Sequence, residues 1–242
     1  MAAERAVPCV MELGGKSAAV VFPDANIKQL EDSIKWGIFF NAGQVCSAMS
    51  RLIVHEDIKD KVLETAKTLA QALRIGDCLS NADLTPVTSA SQQQRVLAMC
   101  ETALSEGATL QTGGKAPDNH SGYFVEPTIF SEVTPDMSLF RDEVFGPVLA
   151  ISTFSNEEQA WQLANSSDYG LVAGVFTQDL GRAMRATQAL KAGQVFVNQW
   201  YAGGIETPFG GTKLSGFGRE KGVEALYSYV QTKNVAIRLG EY

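Results

Sequence analysis

Ser17-Ala18-Ala19-Val20-Val21-Phe22-Pro23-Asp24 is a short apolar run, β-branched toward its end, that stops at a Pro-Asp pair. A run of this length closed by a turn signal predicts a buried strand. The period then changes, because Ile27, Leu30, Ile34 and Ile38 recur at helical spacing within residues 27–40. Arg51-Leu52-Ile53-Val54-His55 reads as a second strand, and Val62, Leu63, Ala66, Leu69 and Leu73 mark one stripe of a helix over residues 58–73. Strands separated by helices of this length predict right-handed crossovers and a mainly parallel sheet flanked by helices, an α/β fold.

The alternation continues outward from there. A helix is expected over residues 89–106, then a Gly113-Gly114 turn, extended segments near 123–130 and 145–154, and a helix near 156–165. A strand over 172–177, a helix over 179–190 and a strand over 194–198 complete the series. Past a short helix near 219–227, Val230, Val235, Ile237 and Leu239 partly alternate with polar residues. That pattern predicts a C-terminal edge strand, pairing at a sheet edge or with another chain.

With 242 residues, 45% hydrophobic and 19% charged, the chain has the composition of one large or two small globular domains. A net charge of −7 with scattered basic residues argues against nucleic acid and membrane surfaces as partners. No apolar run approaches the length of a bilayer span. Cys9, Cys46, Cys78 and Cys100 form no CxxC pair, and His55 and His120 are the only histidines, so no metal site is expected. Nothing resembles a signal peptide, which predicts free thiols in a reducing cytoplasm. Met11-Glu12-Leu13-Gly14-Gly15-Lys16 is Gly-rich but has neither the GxGxxG order of a dinucleotide fingerprint nor that of a P-loop.

Two residues invite a chemical reading. Cys46 lies in Phe39-Phe40-Asn41-Ala42-Gly43-Gln44-Val45-Cys46-Ser47-Ala48. A thiol becomes a strong nucleophile only as thiolate, beside a cation, a helix N-terminus or a base. The Gly43 turn predicts a change of direction near a helix start, where backbone N–H groups would lower the thiol pKa and stabilise an oxyanion. The competing reading is a buried inert cysteine, the usual case for a lone one. Glu12, amid small and apolar residues, predicts partial burial and a raised pKa, suited to a general base. Its competing reading is a solvated loop carboxylate.

Two further blocks, Asp142-Glu143-Val144-Phe145-Gly146-Pro147 and Pro208-Phe209-Gly210-Gly211-Thr212-Lys213-Leu214-Ser215-Gly216 continuing to Gly218-Arg219-Glu220, complete a set of four. In this order and at these separations the four together resemble the NAD(P)-dependent aldehyde dehydrogenase superfamily, over essentially the whole chain. The resemblance implies a catalytic domain over residues 1–226 and a C-terminal oligomerisation strand and tail over 227–242. It also implies that the coenzyme-binding domain lies upstream of Glu12, outside this chain.

The same resemblance implies a covalent cycle. Cys46 attacks an aldehyde to give a thiohemiacetal, hydride passes to the nicotinamide of NAD or NADP, and Glu12 directs water onto the resulting thioester. The Cys46 N–H supplies half of an oxyanion hole. Glu143 matches a residue that accepts hydrogen bonds from the nicotinamide-ribose hydroxyls, and Phe145 one that packs near the ring. Phe40, Trp200, Tyr201 and Phe209 are expected to line the substrate tunnel and mouth, with core packing as the alternative for each. Lys16 and Lys213 read as solvated or structural. The partners implied are a small-molecule aldehyde and a second copy of the chain. Without its coenzyme domain the chain is expected to show little dehydrogenase activity. Other readings are a thiol hydrolase acting on activated esters and a non-catalytic assembly domain.

Overall fold

Runs of apolar residues become the strands of one sheet, and segments with helical spacing become the layers that cover it. The structure, a computed structural model, describes residues 2–118 and 120–240. Its first half contains β1 (Met11–Glu12), β2 (Ala18–Val21), α1 (Ile27–Ile34), β3 (Arg51–His55), α2 (Lys59–Ala72), α3 (Ala90–Ser105) and β4 (Thr109–Thr112). Next come β5 (Thr128–Ser131), α4 (Ser138–Arg141), β6 (Val148–Phe154), α5 (Glu157–Asn165), β7 (Tyr169–Gly170) and β8 (Val172–Phe176). The last elements are α6 (Leu180–Ala189), β9 (Gln194–Val197), β10 (Thr212–Lys213), β11 (Gly216–Phe217) and a 3₁₀ helix over Glu224–Tyr229.

Seven strands form the main sheet in the order β4-β5-β6-β3-β2-β8-β9, and only the β4–β5 pair is antiparallel. β2 lies at the centre of the parallel part, with Val20 opposite Ile53 on one side and Val175 on the other. Its side chains alternate as a two-residue period requires. Ala19 and Val21 pack with Leu30, Ile34, Val62 and Ala66 beneath α1 and α2, while Ala18 and Val20 pack with Phe154, Ala160 and Ala186 beneath α5 and α6. A third cluster, including Val96, Cys100, Phe130 and Phe140, seats α3.

Helix starts are set by side-chain caps. Asn26 accepts from the N–H groups of Lys28 and Gln29, Ser89 from Gln92, Asn156 from Gln159 and Asp179 from Arg182. Each cap is worth about 1 kcal/mol. Among the described residues no helix is long and apolar enough to cross a membrane.

Strand polarity places the site. Residues 13–17 lead into β2, residues 44–50 into β3 and residues 142–147 into β6. Because these strands are parallel, all three segments gather at the amino edge of the sheet. Two small antiparallel ladders tie the last block to the same region, pairing Glu12 with Gly216 and Tyr169 with Lys213.

Three expectations are corrected. The helix expected over 27–40 ends at Ile34 and continues as a π turn (Lys35–Phe39) and a 3₁₀ turn (Phe40–Gly43), with Asn41 and Ala42 left-handed at φ 51° and 52°. The short helix expected near 219–227 is the 3₁₀ helix at Glu224–Tyr229. The C-terminal edge strand is not part of the sheet, whose edges are β4 and β9. Residues 230–239 run without a strand partner, and Val230, Val235, Ile237 and Leu239 are exposed. A strand needs another strand for its N–H and C=O groups, and among the described residues this tail finds none. Glu241 and Tyr242 lie outside the described residues.

Candidate active site

Cys46 is half-buried in a turn closed by the Ala48 N–H donating to the Val45 carbonyl at 2.9 Å. The expected helix start is absent, because β3 follows the turn directly. The thiol pKa is raised rather than lowered. Burial is the main cause, the Glu12 and Glu143 carboxylates add to it, and the N–H groups of Ser47 and Cys46 pull the other way. A helix dipole therefore plays no part here, and two backbone N–H groups near the sulfur do. Among the described residues, the Cys46 N–H donates to no backbone carbonyl.

Glu12 sits in β1, and both of its carboxylate oxygens are buried without a hydrogen-bond partner. Burial raises its pKa, as expected from the sequence; Glu220 raises it further and Arg219 opposes. Arg219 is engaged elsewhere, donating to the carbonyls of Gly211 at 3.0 Å and Gly218 at 2.6 Å.

The segments are wedged together through positions where a side chain would not fit. A Cβ on Gly15 would collide with the Cys46 carbonyl, and one on Gly43, at φ 71°, with the Gly146 carbonyl. The Gly15 N–H donates to Glu143 Oε1 at 3.0 Å. Ser215 Oγ donates to the Gly14 carbonyl at 2.7 Å, the Leu13 N–H to the Ser215 carbonyl at 3.1 Å, and Glu12 Oε1 lies against Gly210. All four sequence blocks thus meet around one thiol and one carboxylate.

Phe145 follows Glu143 in left-handed backbone at φ 55°, fixed by Gln92 Nε2 donating to the carbonyls of Phe145 at 2.7 Å and Val144 at 3.2 Å. Glu143 Oε2 accepts no hydrogen bond among the described residues and packs into the place a Cβ on Gly14 would occupy. An acceptor-only carboxylate with a free oxygen fits a diol.

Phe40, Trp200, Tyr201 and Phe209 all line one groove of about 840 Å³ that reaches Val45 and Ser47 on either side of Cys46. Trp200 is also part of the core, with its Nε1 donating to the Ser47 carbonyl at 3.1 Å. Tyr201 donates to the Gly37 carbonyl at 3.4 Å, and burial pushes its pKa up to about 12. Phe40 stands edge-on to Tyr201 with ring centroids 6.4 Å apart.

Sequence reasoning missed Trp36, which is 56% exposed on the groove wall and 6.2 Å from the Phe40 ring. The four-residue spacing of two aromatics on one helical stretch was the available signal. It also allowed Lys16 to be solvated, yet Lys16 is 2% exposed and its Nζ has no hydrogen-bond partner. Lys213 is structural, donating to the carbonyls of Asn165 and Ser167.

Fold and site together define a class: an α/β domain with a half-buried thiol, a carboxylate close enough to raise its pKa, and an aromatic groove lined by the residues on either side of the thiol. A profile of the Aldehyde dehydrogenase family matches residues 1–235, and the chain belongs to that family. It is similar to the peroxisomal aminoaldehyde dehydrogenase 1 of Pisum sativum, 46% identical over 236 residues, covering 97% of this chain and 47% of that protein. The betaine aldehyde dehydrogenase of Agrobacterium fabrum is 43% identical over 234 residues, covering 96% and 48%. Among solved structures, a betaine aldehyde dehydrogenase variant from Staphylococcus aureus in complex with NAD+ superposes with a TM-score of 0.92 at 38% identity, covering 96% of this chain and 48% of that one. The chain spans about half the length of the curated relatives it matches.

Proposed function

We propose that this chain is the catalytic part of an enzyme oxidising an aldehyde to a carboxylic acid, with Cys46 as nucleophile and Glu12 as general base. The convergence of the four blocks on Cys46 and Glu12 carries this reading. The thiolate sulfur attacks the carbonyl carbon, and the carbonyl electron pair moves onto oxygen. The Cys46 N–H, which donates to no backbone carbonyl among the described residues, is the donor for that oxyanion. Glu143 would hold the ribose hydroxyls of NAD or NADP, and Phe145 would pack beside the ring. When bound, the coenzyme supplies the hydride acceptor that takes the Cys46 adduct to a thioester.

Glu12 then takes a proton from water as the water oxygen attacks the thioester carbonyl. The C–S bond breaks, the acid leaves and Cys46 is restored. A raised pKa brings Glu12 closer to neutrality, where a carboxylate is a better base. Four free cysteines support a reducing, cytoplasmic setting. The exposed, alternating tail supports pairing of residues 227–242 with a second copy of the chain, and deleting residues 230–242 is expected to lower the sedimenting mass.

An activated-ester assay tests the chemistry on the chain itself. A burst of product that disappears in Cys46→Ala is expected. Ester turnover that survives this substitution would remove Cys46 from the mechanism. Steady NAD(P)H formation by the chain alone would contradict its reading as only part of the enzyme.

A further inference from the structure

The groove that reaches Val45 and Ser47, the neighbours of Cys46, carries a cation of its own. Lys221 lines it together with Phe209, Glu220 and Asp32. The backbone fixes Lys221 there: the Phe209 N–H donates to the Glu220 carbonyl at 2.6 Å, the Glu220 N–H to the Phe209 carbonyl at 2.7 Å, and the Gly222 N–H to the Ile205 carbonyl at 2.8 Å. Lys221 turns through left-handed backbone at φ 58° and sets its ammonium over the Phe209 ring, 5.6 Å from the centroid. Among the described residues no carboxylate forms an ion pair with it.

A substrate ammonium is recognised best by an aromatic face that is free to receive it. On the Phe209 face that place is taken by the protein's own ammonium, and a second cation there meets like charge. We propose that Lys221 is a specificity-determining residue that turns the groove against aldehydes with a cationic tail and toward neutral or anionic ones. The inference rests on the reading of Cys46, between the groove residues Val45 and Ser47, as the nucleophile. It would set the chain apart from relatives named for betaine aldehyde, a quaternary ammonium compound.

Two thiol reagents of similar size and opposite charge test it without any coenzyme: sulfonatoethyl and trimethylammonioethyl methanethiosulfonate. In both, the Cys46 thiolate attacks the sulfenyl sulfur, a disulfide forms and methanesulfinate leaves. Peptide mass mapping separates Cys46 from the exposed Cys9 and Cys78, whose labelling serves as the internal reference. The ratio of anionic to cationic labelling at Cys46 is expected to fall about threefold in Lys221→Gln and about tenfold in Lys221→Glu at low ionic strength, and to converge at high salt. Lys221→Arg, which keeps the charge, should keep the ratio. A ratio unchanged in both the Gln and Glu variants would overturn the assignment while leaving Cys46 as a reactive thiol. Failure of both reagents to label Cys46 would instead defeat the nucleophile reading, and the Lys221 assignment with it.

Discussion

Replacing Lys16 with methionine should stabilise the protein in acid and lose that advantage in base. Lys16 is buried with its ammonium unpartnered, and Arg51 beside it spends its guanidinium on the carbonyls of Lys16, Leu163 and Ala164. Burial, and then the Arg51 charge, lowers the Lys16 pKa from 10.5 to about 7, with Asp142 and Glu143 offsetting part of the effect. A base whose folded pKa is depressed contributes its full stability above the unfolded pKa, and that contribution drains away as pH falls toward the folded one. At about 1.36 kcal/mol per tenfold change in proton affinity, the charged lysine costs up to about 5 kcal/mol below pH ~7 relative to pH ~11. Methionine keeps the apolar length and removes the charge. Urea unfolding at about pH 6, 8 and 10 measures the difference between variant and parent. The gain should be several kcal/mol at the lowest pH and fall to about 1 kcal/mol or less at the highest. A difference that stays constant across the three would refute the buried-cation argument.

Glu12→Gln should act on the thiol and on turnover in opposite directions. Removing the Glu12 charge lowers the Cys46 pKa, so the midpoint of an alkylation-rate profile moves to lower pH. Breakdown of the acyl-enzyme should meanwhile slow by about 100-fold or more. An unmoved midpoint would show that the carboxylate is not felt at the sulfur. Gly43→Ala should cost more than about 2 kcal/mol, because alanine must adopt φ near 71° and push against the Gly146 carbonyl. A melting temperature within a degree or so of the parent's would contradict the wedge described here.

The centre of the sheet was legible because β2 and β8 are buried on both faces. Ala18–Val21, Val172–Phe176 and Gln194–Val197 announce themselves as short apolar runs, and helix starts at Asn26, Ser89, Asn156 and Asp179 carry their own capping side chains. The ladders β1–β11 and β7–β10 did not show, since two residues have no period and their partners lie far along the chain. The blocks around Glu12, Cys46 and Glu143 stood out as motifs, whereas their gathering at the amino edge depends on strand polarity. Open α/β sheets commonly bind ligands at the opposite, carboxyl edge, so a fold-level search would have looked in the wrong place. The aromatics were harder: Trp200 serves core and groove at once, and composition alone does not separate those roles. The tail reads as a strand because its pattern is one, but a pattern cannot supply the second strand.

The glycine wedges have a consequence for how such a signature should be valued. Gly15 and Gly43 are required by the architecture: a chain that had lost its chemistry would still need them in order to close. Their presence testifies to a shape. The Glu12 carboxylate is a different kind of witness, since its two buried oxygens hold nothing together among the described residues and folding alone gives no reason to keep them charged. The group that the architecture could most easily do without is the one that speaks for a reaction.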